Sequence, residues 1–170
     1  MADPPRTIID GRHATDRRRQ DRTVWTVGHS DRRFAEFVTL LQSSGIGRVA
    51  DVRSYPNSRL RWFERSELSS GLAHRGIDYL WLGRDLGGLR TVGYREWTES
   101  GAYARGIDEL ERAAEEIPTA VCCAERDPER CHRRFIADTL VDRGWRVVHL
   151  LAPDATLDHV RSPRQDGLPF

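Results

Sequence analysis

The chain has 170 residues, and its 27 basic side chains are all arginine, set against 26 acidic residues for a net charge of +1. The absence of lysine excludes Schiff-base, phosphate-loop-lysine and lysine general-base chemistry, and leaves cationic work to guanidinium forks that stay protonated. A nearly neutral chain is no polycation, so nucleic-acid binding would need a local patch rather than bulk charge.

Much of the arginine excess is what G+C-rich codon usage produces, because lysine codons are A-rich. The length suits one domain able to bury roughly two-thirds of the surface of its unfolded chain. A hydrophobic fraction of 38% is ordinary for a soluble globule. The apolar run from Val147 to Ala152 is broken by His149 and is far too short to cross a bilayer. The Arg- and Asp-rich first residues lack the apolar stretch of an export signal. Together with an odd number of cysteines, three, these features predict a cytoplasmic protein with reduced thiols and no membrane partner.

In chain order, residues 1–22 read as a disordered arm of mixed charge, whose Arg17-Arg18-Arg19 is more plausibly solvated than bound to phosphate. Thr23 to Val27 reads as a strand ended by Gly28-His29-Ser30. Ser30 is expected to cap a helix carrying Phe34, Phe37, Val38 and Leu41, stopped by Gly45. A second strand, Arg48 to Val52, runs into the loop Arg53 to Arg59; a helix from about Glu64 to Arg75 ends at Gly76, and a third strand spans Ile77 to Leu82. The glycines of Gly83 to Leu89 predict a loop.

Between Tyr94 and Ile117 the pattern gives one weak and one stronger helix, the latter with Ile107, Leu110, Ala114 and Ile117 on one face before Pro118. Thr119 to Ala124 reads as a strand, Glu125 to Arg130 as a turn, Cys131 to Arg143 as a helix closed by Gly144, and Trp145 to Leu151 as a final strand. The expected organisation is a disordered arm at 1–22, an α/β domain at 23–152 and an unpatterned C-terminal tail at 153–170. Alternating strands and helices predict a single three-layer α/β domain, a mostly parallel sheet of about five strands flanked by helices.

Parallel sheets bind ligands at the carboxyl ends of their strands. Residues with chemistry gather at that edge: His29 and Ser30 after the first strand; Asp51, Arg53, Ser58 and Arg59 after the second; Gly87 and Gly88 after the third; Cys123, Glu125, Cys131, His132 and Arg133 around the fourth. The opposite edge, around Gly45-Ile46-Gly47 and Ile117-Pro118, offers little.

These same motifs carry a resemblance. Val27-Gly28-His29-Ser30, Asp51-Val52-Arg53 with Pro56 and Ser58-Arg59, Leu86-Gly87-Gly88, and Cys123-Ala124-Glu125 leading to Cys131-His132-Arg133 together resemble the domain-of-unknown-function family 488 (DUF488) over about Val24 to Leu151. The resemblance implies a compact α/β domain, found mostly in bacteria and archaea, with those motifs as its site. It implies no reaction.

Cys123-Ala124-Glu125 with Pro128 and Cys131 invites comparison with zinc deaminases, but five residues between Glu125 and Cys131 leave no room for the intervening strand, and the second cysteine of the pair is missing. A phosphatase loop would need arginine six positions after its cysteine; Cys123 has Glu129 there and Cys131 has Ala137. Cys123, Cys131 and His132, with His29 as a further candidate, have the donors that zinc or another transition metal prefers, although the spacing is that of no knuckle or ribbon. Cys122 and Cys123 should face opposite sides of their strand, leaving Cys122 as a small core residue. Cys131, beside His132 and near a helix start, is also a candidate thiolate nucleophile.

Arg53, Arg59 and Arg133 read as an anion receptor with helix N–H groups, although Asp51 and Arg53 equally suit an internal ion pair. His29 and Glu125 are the candidates for proton transfer, with backbone bonding and an arginine partner as their plainer roles. Tyr55, Trp62, Tyr79 and Trp81 supply aromatic rings that stack on bases or pack the sheet edge.

The leading expectation is a small enzyme acting on an anionic, nucleotide- or nucleic-acid-like ligand by hydrolysis or group transfer. His29, Glu125 and Cys131 would be catalytic, and Ser30, Asp51, Arg53, Ser58, Arg59, Gly87, Gly88 and Arg133 substrate-binding. The alternatives are a non-catalytic nucleic-acid-binding module, and a metal or cofactor protein that uses Cys123, Cys131 and His132.

Overall fold

A computed structural model describes residues 22–161. The expected arm therefore lies outside the described residues except for Arg22, as does the tail beyond 161.

Strand β1 (Thr23–Gly28) leads to α1 (Phe34–Ser43), β2 (Arg48–Asp51), a 3-10 turn (Arg61–Phe63), α2 (Arg65–Ala73) and β3 (Asp78–Trp81). The short helices α3 (Gly83–Leu86) and α4 (Tyr94–Trp97) precede the long α5 (Gly101–Glu116). Then come β4 (Thr119–Cys123), a second 3-10 turn (Pro128–Arg130), α6 (Arg133–Asp142), β5 (Arg146–Ala152) and β6 (Ala155–Asp158). The sheet order is β3-β2-β4-β1-β5-β6. Neighbours are parallel except the β5–β6 hairpin, so the expected three-layer α/β architecture is present with six strands instead of five.

The apolar periodicity accounts for the layers. Phe37, Leu40 and Leu41 of α1 and Leu68 and Leu72 of α2 cover one face of the sheet with Val27, Val49 and Cys122. Ile107 and Leu110 of α5 and Ile136, Ala137 and Leu140 of α6 cover the other with Val24, Val121, Cys123 and Val147. Gly45, Gly76 and Gly144 follow α1, α2 and α6 with positive φ, as their role as stops requires.

Three local expectations are corrected. Ser30 is not the cap of α1: Arg33 is, with Glu36 accepting its backbone N–H at 2.9 Å, while Ser30 sits in the left-handed region at φ 46°. Gly83 to Leu86 forms a helical turn rather than loop, because Leu86 and the backbone of Gly83 bury against the sheet end. Helix α6 begins at Arg133, leaving Cys131 in extended backbone ahead of it. The sixth strand falls in the segment after Pro153 that carries no sequence pattern; all its residues are exposed, so no apolar alternation marks it.

Candidate functional site

Parallel pairing aligns Gly28 with Cys123 and Asp51 with both Cys122 and Trp81, so the carboxyl ends of β1 to β4 form one edge. Backbone N–H groups of His29 and Ser30 extend the β1 pairing to the carbonyls of Cys123 and Ala124, each at 2.9 Å. The approach is close enough that a Cβ at Gly28 would stand 1.9 Å from the Glu125 carbonyl oxygen, which is why the strand ends in glycine. The sheet then divides the expected single site into two clusters, one on each face.

On the α1/α2 face lies a closed ionic network. Asp51 is fully buried and Arg53 is 5% exposed. The guanidinium grips the carboxylate with two bonds, Nε to Oδ1 at 2.9 Å and Nη2 to Oδ2 at 2.6 Å. Its Nη1 donates to the Phe63 carbonyl at 2.8 Å and to His29 Nε2 at 3.2 Å, and Tyr79 donates its hydroxyl to Asp51 Oδ2 at 2.7 Å. Burial works against the charge of Arg53, and Asp51 outweighs it, so the guanidinium is held above its ordinary range. Burial followed by the Asp51 charge pushes the Tyr79 phenol up.

His29 belongs to this network. A carbonyl can only accept, so Nδ1 donates to the Ser30 carbonyl at 3.0 Å, which leaves Nε2 to accept from Arg53. The ring also stacks on Phe63 at 4.2 Å. Burial, then the Arg53 charge, lowers its pKa to about 4, so it is a neutral, fully bonded imidazole at neutral pH. Arg53 and His29 thus have structural partners for the groups that the sequence offered to a ligand.

On the α5/α6 face, Cys123, Cys131 and His132 bring Sγ, Sγ and Nδ1 within 4.8 Å of one another. The imidazole Nδ1 is 3.8 Å from the Cys123 sulfur and 3.7 Å from that of Cys131. Its other nitrogen, Nε2, donates to the Val52 carbonyl at 3.2 Å. Nε2 therefore carries the proton, and in the neutral ring Nδ1 presents a lone pair to both sulfurs. The Tyr94 ring closes one side at 5.1 Å from the imidazole centroid. The backbone of Gly88 closes another, where a Cβ would meet Nδ1 at 2.6 Å. Hydrogen bonding between the two thiols holds that of Cys131 below the usual thiol range against the effect of burial, with Arg133 adding to it, and holds that of Cys123 above it.

Cys122 points to the opposite face among core residues, as strand alternation requires, and burial pushes its thiol up to about 12. Arg133 is 1% exposed. Its terminal nitrogens bind the carbonyls of Glu125 and Arg126 rather than an open anion position, while its Nε has no partner. The exposed Glu125 carboxylate accepts from the Asp127 N–H at 3.2 Å and makes no bond to His29 or to the cluster. Ser58 shapes its own loop, accepting from Leu60 N–H at 3.1 Å and donating its N–H to Glu64 at 2.7 Å. Arg59 is exposed. Gly87 packs against Ser54 and the Gly83 carbonyl.

A third polar group has no counterpart among the sequence motifs. Thr26 Oγ1 lies 2.7 Å from His149 Nδ1, His149 Nε2 lies 3.0 Å from His159 Nδ1, and His159 Nε2 lies 2.8 Å from Asp138. Its members are scattered over β1, β5, α6 and the segment after β6, with no shared spacing that a sequence could display.

Fold and site together define the class: a three-layer α/β domain with a Cys2His cluster at the carboxyl edge of a parallel sheet. The chain belongs to the family described as "Domain of unknown function DUF488", which matches residues 33–140. That span contains all three cluster residues, Val52, Gly88 and the Asp51–Arg53 pair, and begins after His29 and Ser30. No match was found among curated proteins or among solved structures.

Proposed function

We propose that the protein is a metal-dependent enzyme in which Cys123, Cys131 and His132 bind one zinc-class ion and leave its fourth position for an exogenous ligand. The observation that carries the reading is the His132–Val52 bond: donation from one ring nitrogen to a backbone carbonyl is the support that metal-ligating histidines have, and it turns the other nitrogen toward two sulfurs. Thiolate and imidazole are the donors zinc prefers. Among the described residues no fourth Cys, His, Asp or Glu joins the cluster, and three protein ligands are the complement of catalytic rather than structural zinc.

Bound there, zinc would supply Lewis acidity to a hydrolysis or group transfer. The chain's own contribution is positional. Val52 fixes the imidazole, Gly88 leaves room beside Nδ1, and Tyr94 walls the site from one side. The anionic ligand expected from the sequence fits the reading through the exposed Arg130 just before Cys131, instead of through Arg53 and Arg133. A reducing cytoplasm would keep the ligand thiols free.

Metal analysis of reduced protein, loaded with zinc and desalted, tests the proposal. It requires about one zinc per chain, lost in Cys131→Ser. Zinc retained equally by Cys131→Ser and wild type would refute it.

A second reading rests on the outer loop surface, where Tyr55 is 72% exposed and Trp62 38% exposed on either side of the exposed Arg59. It is the non-catalytic nucleic-acid module, with rings stacking on bases. Binding to single-stranded DNA that weakens steeply with salt and is lost in Tyr55→Ala would support it.

A further inference from the structure

We infer that Cys123 and Cys131 are a hydroperoxide-reactive dithiol, joining as a disulfide that releases the metal. The release half rests on the metal reading above; the thiol half does not.

The geometry selects one pair. Their sulfurs lie within 4.8 Å on the same face of the sheet, whereas Cys122, the chain's third cysteine, is buried among α1/α2-face residues. A disulfide needs a sulfur separation of about 2.05 Å, so the gap to close is short. Cys123 is held in place, since β4 ends there and its carbonyl accepts the His29 N–H at 2.9 Å. Cys131 lies in extended backbone between a 3-10 turn and α6, in a connection where Ala124 to Asp127, Glu129 and Arg130 are exposed. That side supplies the adjustment. Two residues further on is Arg133, a buried cation whose terminal nitrogens bind only carbonyls and whose Nε is unpartnered. Its positive charge favours an anionic sulfur as the attacking group.

The chemistry balances with a hydroperoxide as oxidant. The Cys131 thiolate attacks the outer peroxide oxygen; a sulfur–oxygen bond forms, the oxygen–oxygen bond breaks, and the departing alkoxide or hydroxide takes a proton. Sulfur of Cys123 then attacks that of Cys131, forming the disulfide and expelling hydroxide, which leaves as water with the second thiol proton. Two electrons pass from the sulfurs to the peroxide, and a dithiol reductant restores the pair. Once both sulfurs are bonded to each other, His132 alone is left to hold the ion.

The full chain, reduced and prepared with and without zinc, is exposed to hydrogen peroxide and digested with trypsin. Cleavage after Arg126 and Arg130 separates the peptide of Cys131 from that of Cys122 and Cys123, so the bond appears as a cross-linked pair of peptides that reduction parts. The expected result is that cross-link in wild type and in Cys122→Ala, with stoichiometric zinc release from the loaded sample. In Cys123→Ser the reaction should stop at a Cys131 sulfenic acid that a 1,3-dione traps. Free or over-oxidised peptides in wild type and Cys122→Ala, or a cross-link that disappears in Cys122→Ala, would overturn the inference. A cross-link in a protein that takes up no zinc when loaded would sustain the dithiol and overturn the metal reading with its release; bound zinc without a cross-link would do the reverse.

Discussion

His132 donates its Nε2 hydrogen to the carbonyl of Val52 at 3.2 Å, and so a residue between the buried Asp51 and Arg53 fixes the proton of an imidazole on the other side of the sheet. If that bond orients a ligand nitrogen, His132→Ala should weaken zinc binding at least about tenfold, read by competition with a chromophoric chelator. Unchanged affinity would reduce the ring to a packing partner of Tyr94.

Gly88 makes a separate demand. A methyl group there would sit 2.6 Å from His132 Nδ1, so either the loop or the ring must shift. Gly88→Ala is expected to keep the circular dichroism spectrum of the fold while lowering zinc affinity. Equal affinity in the two proteins would show that the ring tolerates the displacement.

The Asp51–Arg53 pair should govern stability rather than metal. Removing one charge strands the other in a site with almost no exposure, which costs about 3–5 kcal/mol. Asp51→Asn should therefore lower the urea midpoint markedly and leave the zinc stoichiometry of the folded protein intact. A small change in midpoint would mean that Arg53 finds water or another partner.

Much of the fold was legible because burial repeats at 3.6 or 2 residues, as in Phe37, Leu40 and Leu41 of α1, and because Gly45, Gly76 and Gly144 mark the helix stops. The exposed strand β6 has no buried face and so no pattern. Strand order gathers the candidate residues at one edge, but composition does not tell which guanidiniums are already satisfied. Arg53 is occupied by Asp51, two positions away, the ion pair that the spacing offers as the rival of a ligand role, whereas Arg133 is occupied by carbonyls of the turn before it, which neither composition nor spacing displays. Strand alternation did predict that Cys122 and Cys123 part. The same alternation sets His29 and Arg53 on the Cys122 side.

Acid sensitivity should come from His149. Burial, then His159 and Arg133, lowers its pKa from 6.5 to about 4. The groups that face it are Thr26 on β1, His159 after β6, itself bonded to Asp138 of α6, and Arg133 of α6. Below about pH 6.5 the unfolded chain gains a proton there that the folded chain refuses until about pH 4, so stability falls across that window as pH is lowered. His29 titrates in the same direction, so His149→Gln should flatten the fall without abolishing it. Urea midpoints at several pH values measure the slope; identical slopes for wild type and His149→Gln would contradict the assignment.

Cobalt titration of the reduced, metal-free protein bears most directly on the central claim. Coordination by two thiolates and an imidazole predicts an intense near-ultraviolet thiolate-to-metal charge-transfer band and tetrahedral visible absorption, saturating at about one cobalt per chain and displaced by zinc. Both signals should weaken in Cys123→Ser and in His132→Ala. A titration that leaves only the weak spectrum of hydrated cobalt, or a charge-transfer band of full strength in Cys123→Ser, would contradict the account.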